Sequence, residues 1–361
     1  MIICVCSFSE SGKEWEKVLK FQIPDVNWLV KAEGESVSKW TKEQFEKRLP
    51  ILFVGSAGIA VRKIAPLVND KFTDSPVMVM DEGGRHLIPI LSGHMGGANE
   101  LAVMIAGKIG AIPVITTSTD VHNVFSVDVF AKKNSLRIIN REAVKKVAEK
   151  LISNKEICIK IPKGFDIGEE ILPESIIIAD SDEDVAADVE IFLTAGEAAK
   201  VCENQKTEGN TLFLVPRNYC LGIGCKKGKS FEELNEFLKS SLKSEYIDNI
   251  AAIASVDLKK GEMGIMNLAQ YYHVDFKTFT SEELEKISLE NGEEFSSSDF
   301  VKDVTGVDNV CERAAVACAE AMGQKQKPCL VVKKIAKDGM TLALAERIPK
   351  ICTWETKQAG L

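Results

Sequence analysis

Two periodicities of apolar residues alternate along this chain from its first residues. Short apolar runs predict strands at IICVCS (2–7), NWLVKA (27–32) and PILFVGSAG (50–58). Between and after them, helical spacing predicts helices over SGKEWEKVLK (11–20), TKEQFEKRL (41–49) and IAVRKIAPLV (59–68). VMVMDEGGRHLIPIL (77–91) reads as two strands joined at Glu82-Gly83-Gly84, a turn of hairpin type. A glycine-rich loop then runs into an amphipathic helix, LSGHMGGANELAVMIAGKIG (91–110), and AIPVITTSTD (111–120) predicts one more strand with a polar end. Strands and helices in alternation with short joins predict an α/β fold, here an N-terminal domain (1–125) with a mostly parallel sheet covered by helices.

From 126 to 217 the pattern changes. VDVFAKKNSL and REAVKKVAEKLISN are read as helices, EICIKI, SIIIADS, EIFLTA and TLFLVP as short strands, and CENQKTEGN (202–210) as a polar hairpin tip. This predicts a small α+β middle domain. A C-terminal α/β domain (218–347) follows. Its strands are YCLGIGC, IAAIASVD and FKTFT, and its helices are SFEELNEFLKSSL, MGIMNLAQYYH, SEELEKI and NVCERAAVACAEAM. A last strand pair turns at Lys337-Asp338-Gly339.

Composition narrows the function. The 361 residues are 45% hydrophobic and 27% charged, as in ordinary soluble proteins. A net charge of −8 lacks the basic footprint of a nucleic-acid binder. No apolar run approaches the ~20 residues that span a bilayer, so no membrane role is expected. Ten cysteines lie scattered, mostly in apolar runs, with no CxxC pair, which suits a reducing, cytoplasmic compartment. His86, His122 and His273 read as structural or surface residues, and no two histidines have ligand spacing, so no protein-bound metal is expected.

The candidate chemistry lies in Ser92-Gly93-His94-Met95-Gly96-Gly97-Ala98-Asn99-Glu100. Glycines let backbone approach a ligand, and the first turn of the next helix aims N–H groups at an anion. His94, with glycines on both sides of it in the loop, is the candidate general base, with Glu100 or Asp81 orienting it and the Gly96 and Gly97 amides taking an oxyanion. An idle histidine in a tight turn is the other reading. Gly55, Gly58 and Arg62 repeat the strand–glycine–helix design, although glycine also serves plain helix–sheet packing. Asp81, Glu82 and Gly83 end one strand, and Thr116, Thr117 and Asp120 end another. All four strand ends are expected to face one cleft and bind substrate. Gly222, Gly224, Cys225 and Lys226 form a second glycine-rich stretch that matches neither the Walker nor the dinucleotide spacing. Lys226, Lys227 and Arg62 are the expected cations for substrate carboxylates.

Taken in order, these segments resemble the cobalt-precorrin-5A hydrolase (CbiG) family. The likeness rests on the DEGG stretch ending at Gly84, SGHMGGANELA (92–102), PVITTSTD (113–120), LGIGCKKG (221–228), ASVDLKKGEMG (254–264, with Asp257) and VTGVDNVCERAA (304–315). It implies an enzyme of anaerobic cobalamin biosynthesis. Such an enzyme hydrolyses the ring-A δ-lactone of a cobalt-corrinoid and releases C20 with its methyl group as acetaldehyde. It implies no protein-bound cofactor, since the cobalt travels with the substrate. It suggests hand-over to neighbouring pathway methyltransferases and leaves room for a homodimer. A non-catalytic corrinoid carrier, and an α/β enzyme acting on a phosphorylated substrate, stay open on the residues alone.

Overall fold

A computed structural model describes residues 1–122, 124–163, 165–204, 211–289, 295–296, 309–323 and 327–355. The chain divides into two compact units after Val124.

The first unit has strands β1 (Ile2–Ser7), β2 (Asn27–Val30), β3 (Ile51–Val54), β4 (Val77–Met80), β5 (His86–Leu91) and β6 (Ile112–Pro113). They form one sheet in the order β2-β1-β3-β4-β5-β6. Around it lie α1 (Glu10–Gln22), α2 (Val37–Glu46), α3 (Ala57–Ile64), α4 (Ala98–Ile109) and the short α5 (Ser118–Val121). The central strands are apolar on both sides because helices cover both faces. Ile3, Val5, Leu52, Val54, Met78 and Met80 pack against Leu19 of α1 and Leu101, Ala102 and Ile105 of α4. Each of these buried Val, Leu, Ile and Met side chains stabilises the fold by about 1.5–3 kcal/mol. Ser9 opens α1 by accepting from Gly12 N, and Gly110, left-handed at φ 74°, closes α4.

Strand direction decides what meets what. β1 to β4 run parallel, but the hairpin turns β5 antiparallel to β4, and β6 follows β5. The end of β5 therefore lies beside the beginning of β4, and the chain that leaves β6 runs on in the direction of β5. Only Ile112 and Pro113 of the expected strand 111–120 pair in the sheet, and Ser118–Val121 is helical. Thr117 caps that helix with extended backbone, so the polar run leaves the sheet before it reaches Asp120.

The second unit holds two sheets. One has β7 (Leu136–Ile138), β8 (Ile157–Ile161), β9 (Ile176–Asp180), β10 (Val189–Ile191) and β11 (Leu212–Pro216), in the order β7-β11-β10-β8-β9. It carries α6 (Val127–Lys133), α7 (Ala143–Ile152) and α8 (Ala195–Asn204). Two expectations change here. The helix expected over 127–136 stops at Lys133, and after Ser135, at φ 53°, the chain pairs as β7 with β11. Residues 202–204 of the expected hairpin tip end α8, and 205–210 lie outside the described residues.

The other sheet has β12 (Tyr219–Cys225), β13 (Ile250–Val256), β14 (Asp275–Phe279), β15 (Cys329–Lys337) and β16 (Met340–Glu346), in the order β14-β13-β12-β16-β15. Its helices are α9 (Phe231–Ser241), α10 (Ser244–Asp248), α11 (Met263–Tyr271), α12 (Ser281–Lys286) and α13 (Val310–Met322). Capping boxes at Ser230/Glu233 and Thr280/Glu283 start α9 and α12. The buried Arg347 donates through Nε to Arg217 O (2.9 Å) and through NH1 to Met322 O (3.0 Å). Its positive charge thus rests on the carbonyl end of α13. The chain then returns to the first of these sheets: Asn134 Oδ1 accepts from Cys352 N (2.7 Å) and Thr353 N (3.0 Å), and Trp354 stacks on Phe130. A C-terminal limit at 347 therefore leaves out residues that complete the middle sheet's core.

Candidate functional site

The loop between β5 and α4 is built by backbone strain and missing side chains. Ser92 sits at φ 54° and Gly97, the N-cap of α4, at φ 85°. A β-carbon on Gly96 would stand 2.6 Å from Ser92 Cβ. Ser92 Oγ donates to Asp74 O (2.9 Å), which anchors the loop at the start of β4. The loop also consumes one of the two N–H groups expected to take an oxyanion, that of Gly97, together with the next two along the chain. Gly97 N donates to His94 O, Ala98 N to Ser92 O and Asn99 N to Gly93 O, at 3.1, 3.2 and 3.1 Å. The oxyanion role expected of the Gly97 amide is thus not available in this arrangement, because the loop folds back on its own helix end.

This folding carries His94 inward to α5. His94 Nε2 lies 2.9 Å from Asp120 Oδ2, and both side chains are about nine-tenths buried. Thr119 Oγ1 is 3.4 Å from the same ring nitrogen. Asn99 Nδ2 donates to Asp120 Oδ2 (2.9 Å) and to Thr117 Oγ1 (2.8 Å). The result is a largely buried histidine held by a carboxylate, with a hydroxyl beside the ring and an amide on the carboxylate. A ring so placed can accept a proton while the carboxylate stabilises the imidazolium that forms.

Of the two carboxylates expected to orient His94, Glu100 stands in the first turn of α4, where its charge suits the helix N-terminus. Asp81 is elsewhere. Its carboxylate accepts from Gly83 N (2.9 Å) and His86 N (2.6 Å) inside the β4–β5 turn. Burial opposes its ionisation, but the N–H donors of His86, Arg85 and Gly83 outweigh it and hold the carboxyl below its usual range. The carboxylate on His94 is that of Asp120.

The four strand ends expected at one cleft divide in two. Gly55, Gly58, Asp81, Glu82 and Gly83 follow β3 and β4 at one end of the sheet, and the Arg62 guanidinium lies over Gly58 there. At that end Glu82 O accepts from Trp15 Nε1 (3.1 Å), and a β-carbon on Gly55 would meet Phe8. Ser92, Gly93, His94, Gly96, Gly97, Asn99, Thr117 and Asp120 gather at the other end, with Thr116 beside Thr117. A strand of four residues separates the ends at about 3.3 Å per residue. The reversal of β5 is the cause. Thr119 was not expected, although its place inside the polar run TTSTD signalled it.

In the second unit, Gly222 and Gly224 lie inside β12. A β-carbon on Gly222 would stand 1.8 Å from Cys311 O, so this glycine lets α13 pack on the strand instead of opening a loop. Cys225, at the end of β12, has its thiol pushed up to about 11 by burial, against the opposing pull of Lys259. Lys226 lays its stem on Gly339 and exposes its ammonium, and Lys227 and Asp257 are exposed nearby at the ends of β12 and β13. Glu262 accepts from Gly228 N (2.7 Å) and pairs with Lys259 (3.2 Å), which fixes this loop. Among the described residues no three His, Cys, Asp or Glu side chains stand together as a metal site, and no helix is long and apolar enough to cross a membrane.

Family models described as Cobalamin synthesis G N-terminal and Cobalamin synthesis G C-terminus match residues 39–120 and 219–345. The first match ends at Asp120 and so contains the whole His94 cluster. A cobalt-precorrin-5A hydrolase of Salmonella typhimurium is 36% identical over 84% of this chain and 83% of its own length. The chain belongs to the cobalt-precorrin-5A hydrolase family. A second relative, the cobalt-precorrin-5A hydrolase of Priestia megaterium, is 30% identical over 75% of this chain and 73% of its own. A crystal structure of a cobalamin biosynthesis protein G homologue from Sulfolobus solfataricus is 24% identical, covers 95% of this chain and 96% of its own, and has a TM-score of 0.38.

Proposed function

We propose that this member of the family is a cytoplasmic cobalt-precorrin-5A hydrolase that uses His94 as its general base. The observation that carries the site assignment is the 2.9 Å contact of His94 with Asp120. Support for the substrate comes from the two relatives named for that activity, which match 84% and 75% of the chain. In this reading water adds to the carbonyl carbon of the ring-A lactone while His94 takes its proton. The C20 oxygen leaves as the lactone opens and is reprotonated by the imidazolium. Loss of that hydroxyl proton then lets C20 depart with its methyl group as acetaldehyde, its bonding electrons passing into the macrocycle. Hand-over of the product to a neighbouring methyltransferase and a homodimeric state belong to the same reading and rest on the family resemblance.

The test is incubation of the protein with cobalt-precorrin-5A and measurement of acetaldehyde. The expected result is stoichiometric release, lost in His94→Ala. Tight corrinoid binding without acetaldehyde would overturn the enzyme reading in favour of a carrier. A phosphate-dependent activity without corrinoid affinity would overturn the substrate.

A further inference from the structure

We infer that Asn99 is a positioning residue for the His94–Asp120 pair and not a contact to substrate; this rests on the reading of His94 as the base. Asn99 is the second residue of α4 and is 1% exposed, so its amide is closed off from a ligand. The amide is spent inside the site. Nδ2 donates to Asp120 Oδ2 and to Thr117 Oγ1, and that Asp120 oxygen is the one that meets His94 Nε2. One carboxylate oxygen thus takes two donors from fixed directions, which uses its lone pairs and sets the rotation of the carboxylate. Asp120 cannot turn away from His94 without also breaking its bond to Asn99.

The same amide supports the loop that carries His94. A β-carbon on Gly93 would stand 2.6 Å from Asn99 Oδ1, so the loop backbone lies directly on this side chain. Asn99 N also donates to Gly93 O (3.1 Å). Asn99 therefore joins three segments: the loop at Gly93, the helical turn at Asp120 and the polar stretch at Thr117. Both functions of the amide are needed. An aspartate here would set a second carboxylate against Asp120. An apolar residue would leave Asp120 Oδ2 short of a donor in a buried place.

The experiment uses the full chain with Asn99→Ala and the shape-conserving Asn99→Asp. It reads acetaldehyde release from cobalt-precorrin-5A, thermal unfolding, and the 15N resonances of the His94 ring, assigned with His94→Gln among the four histidines. Asn99→Ala is expected to lower kcat by ~10–10²-fold, the range typical of partners that orient a reacting group, with KM changed less than ~2-fold. The His94 nitrogens should move from one fixed tautomer towards the average of two. Asn99→Asp should be slowest at high pH, where both carboxylates are ionised, and recover part of its rate as pH falls. A raised KM at unchanged kcat would overturn the proposal, because Asn99 would then touch substrate. An unchanged ring signature with a lowered melting temperature would also overturn it, leaving a purely structural amide. Failure of the base reading looks different: His94→Ala would then turn over at the wild-type rate, whatever Asn99 does to the ring signals.

Discussion

Gly222 and Cys311 share one space: a β-carbon on the strand residue would stand 1.8 Å from the carbonyl oxygen of the helix residue. Gly222→Ala should therefore push α13 off β12 and cost about 1–3 kcal/mol of stability, as overpacked cores do. Urea unfolding measures it. A variant of native stability with a raised KM would show instead that Gly222 serves the substrate.

Asp120→Asn keeps the shape of the carboxylate but removes the charge that balances a protonated His94. Single-turnover acetaldehyde release should fall by ~10²–10⁴-fold, while equilibrium binding of the substrate stays the same. Turnover within a few-fold of wild type would remove Asp120 from the mechanism.

Asp81 carries a pH prediction of a different kind. Its carboxyl is held below its usual range in the folded chain, so its contribution to stability is present above the unfolded carboxyl value of ~3.9. That contribution is lost as pH falls through the lower folded value. Asp81→Asn should make acid unfolding of the first unit less steep in this window and leave turnover at pH 7 unaltered. A large loss of turnover at pH 7 would restore the catalytic role expected from the sequence.

Lys226 exposes its ammonium while its stem rests on Gly339. Lys226→Glu should weaken substrate binding most at low salt, since exposed charges are screened over ~10 Å at 0.1 M salt. Titration at several salt concentrations checks this. Equal affinities of variant and wild type at low salt would count against a role for this lysine.

The periodicity of the chain carried most of the architecture, because strands buried on both faces and amphipathic helices leave strong local patterns. It missed β7 because a three-residue edge strand beginning right after a helix has too little pattern of its own. It missed α8 because Gly196 lowers the helix propensity and too few large apolar residues mark a helical face. The loop around His94 was visible from its glycines. Its partner was not, since Asp120 and Asp81 both follow apolar runs and only the reversal of β5 selects one of them. The burial of Asn99 against Asp120 and Thr117 was not legible either, because burial of a polar side chain next to a glycine loop has no signature in sequence.

The return of residues 351–354 to the middle sheet also has a temporal side. Asn134 waits for Cys352, 218 residues further on, before its side-chain oxygen is satisfied and before Trp354 can cover Phe130. On a ribosome, the first unit can close while the rest is still being made, but α6 and β7 hold an incomplete core until residues 351–354 have emerged. Pairing across such a separation is slow and leaves apolar surface open meanwhile. A ribosome stalled shortly after residue 347 would therefore hold a finished first unit and a second one still lacking the tryptophan that closes it.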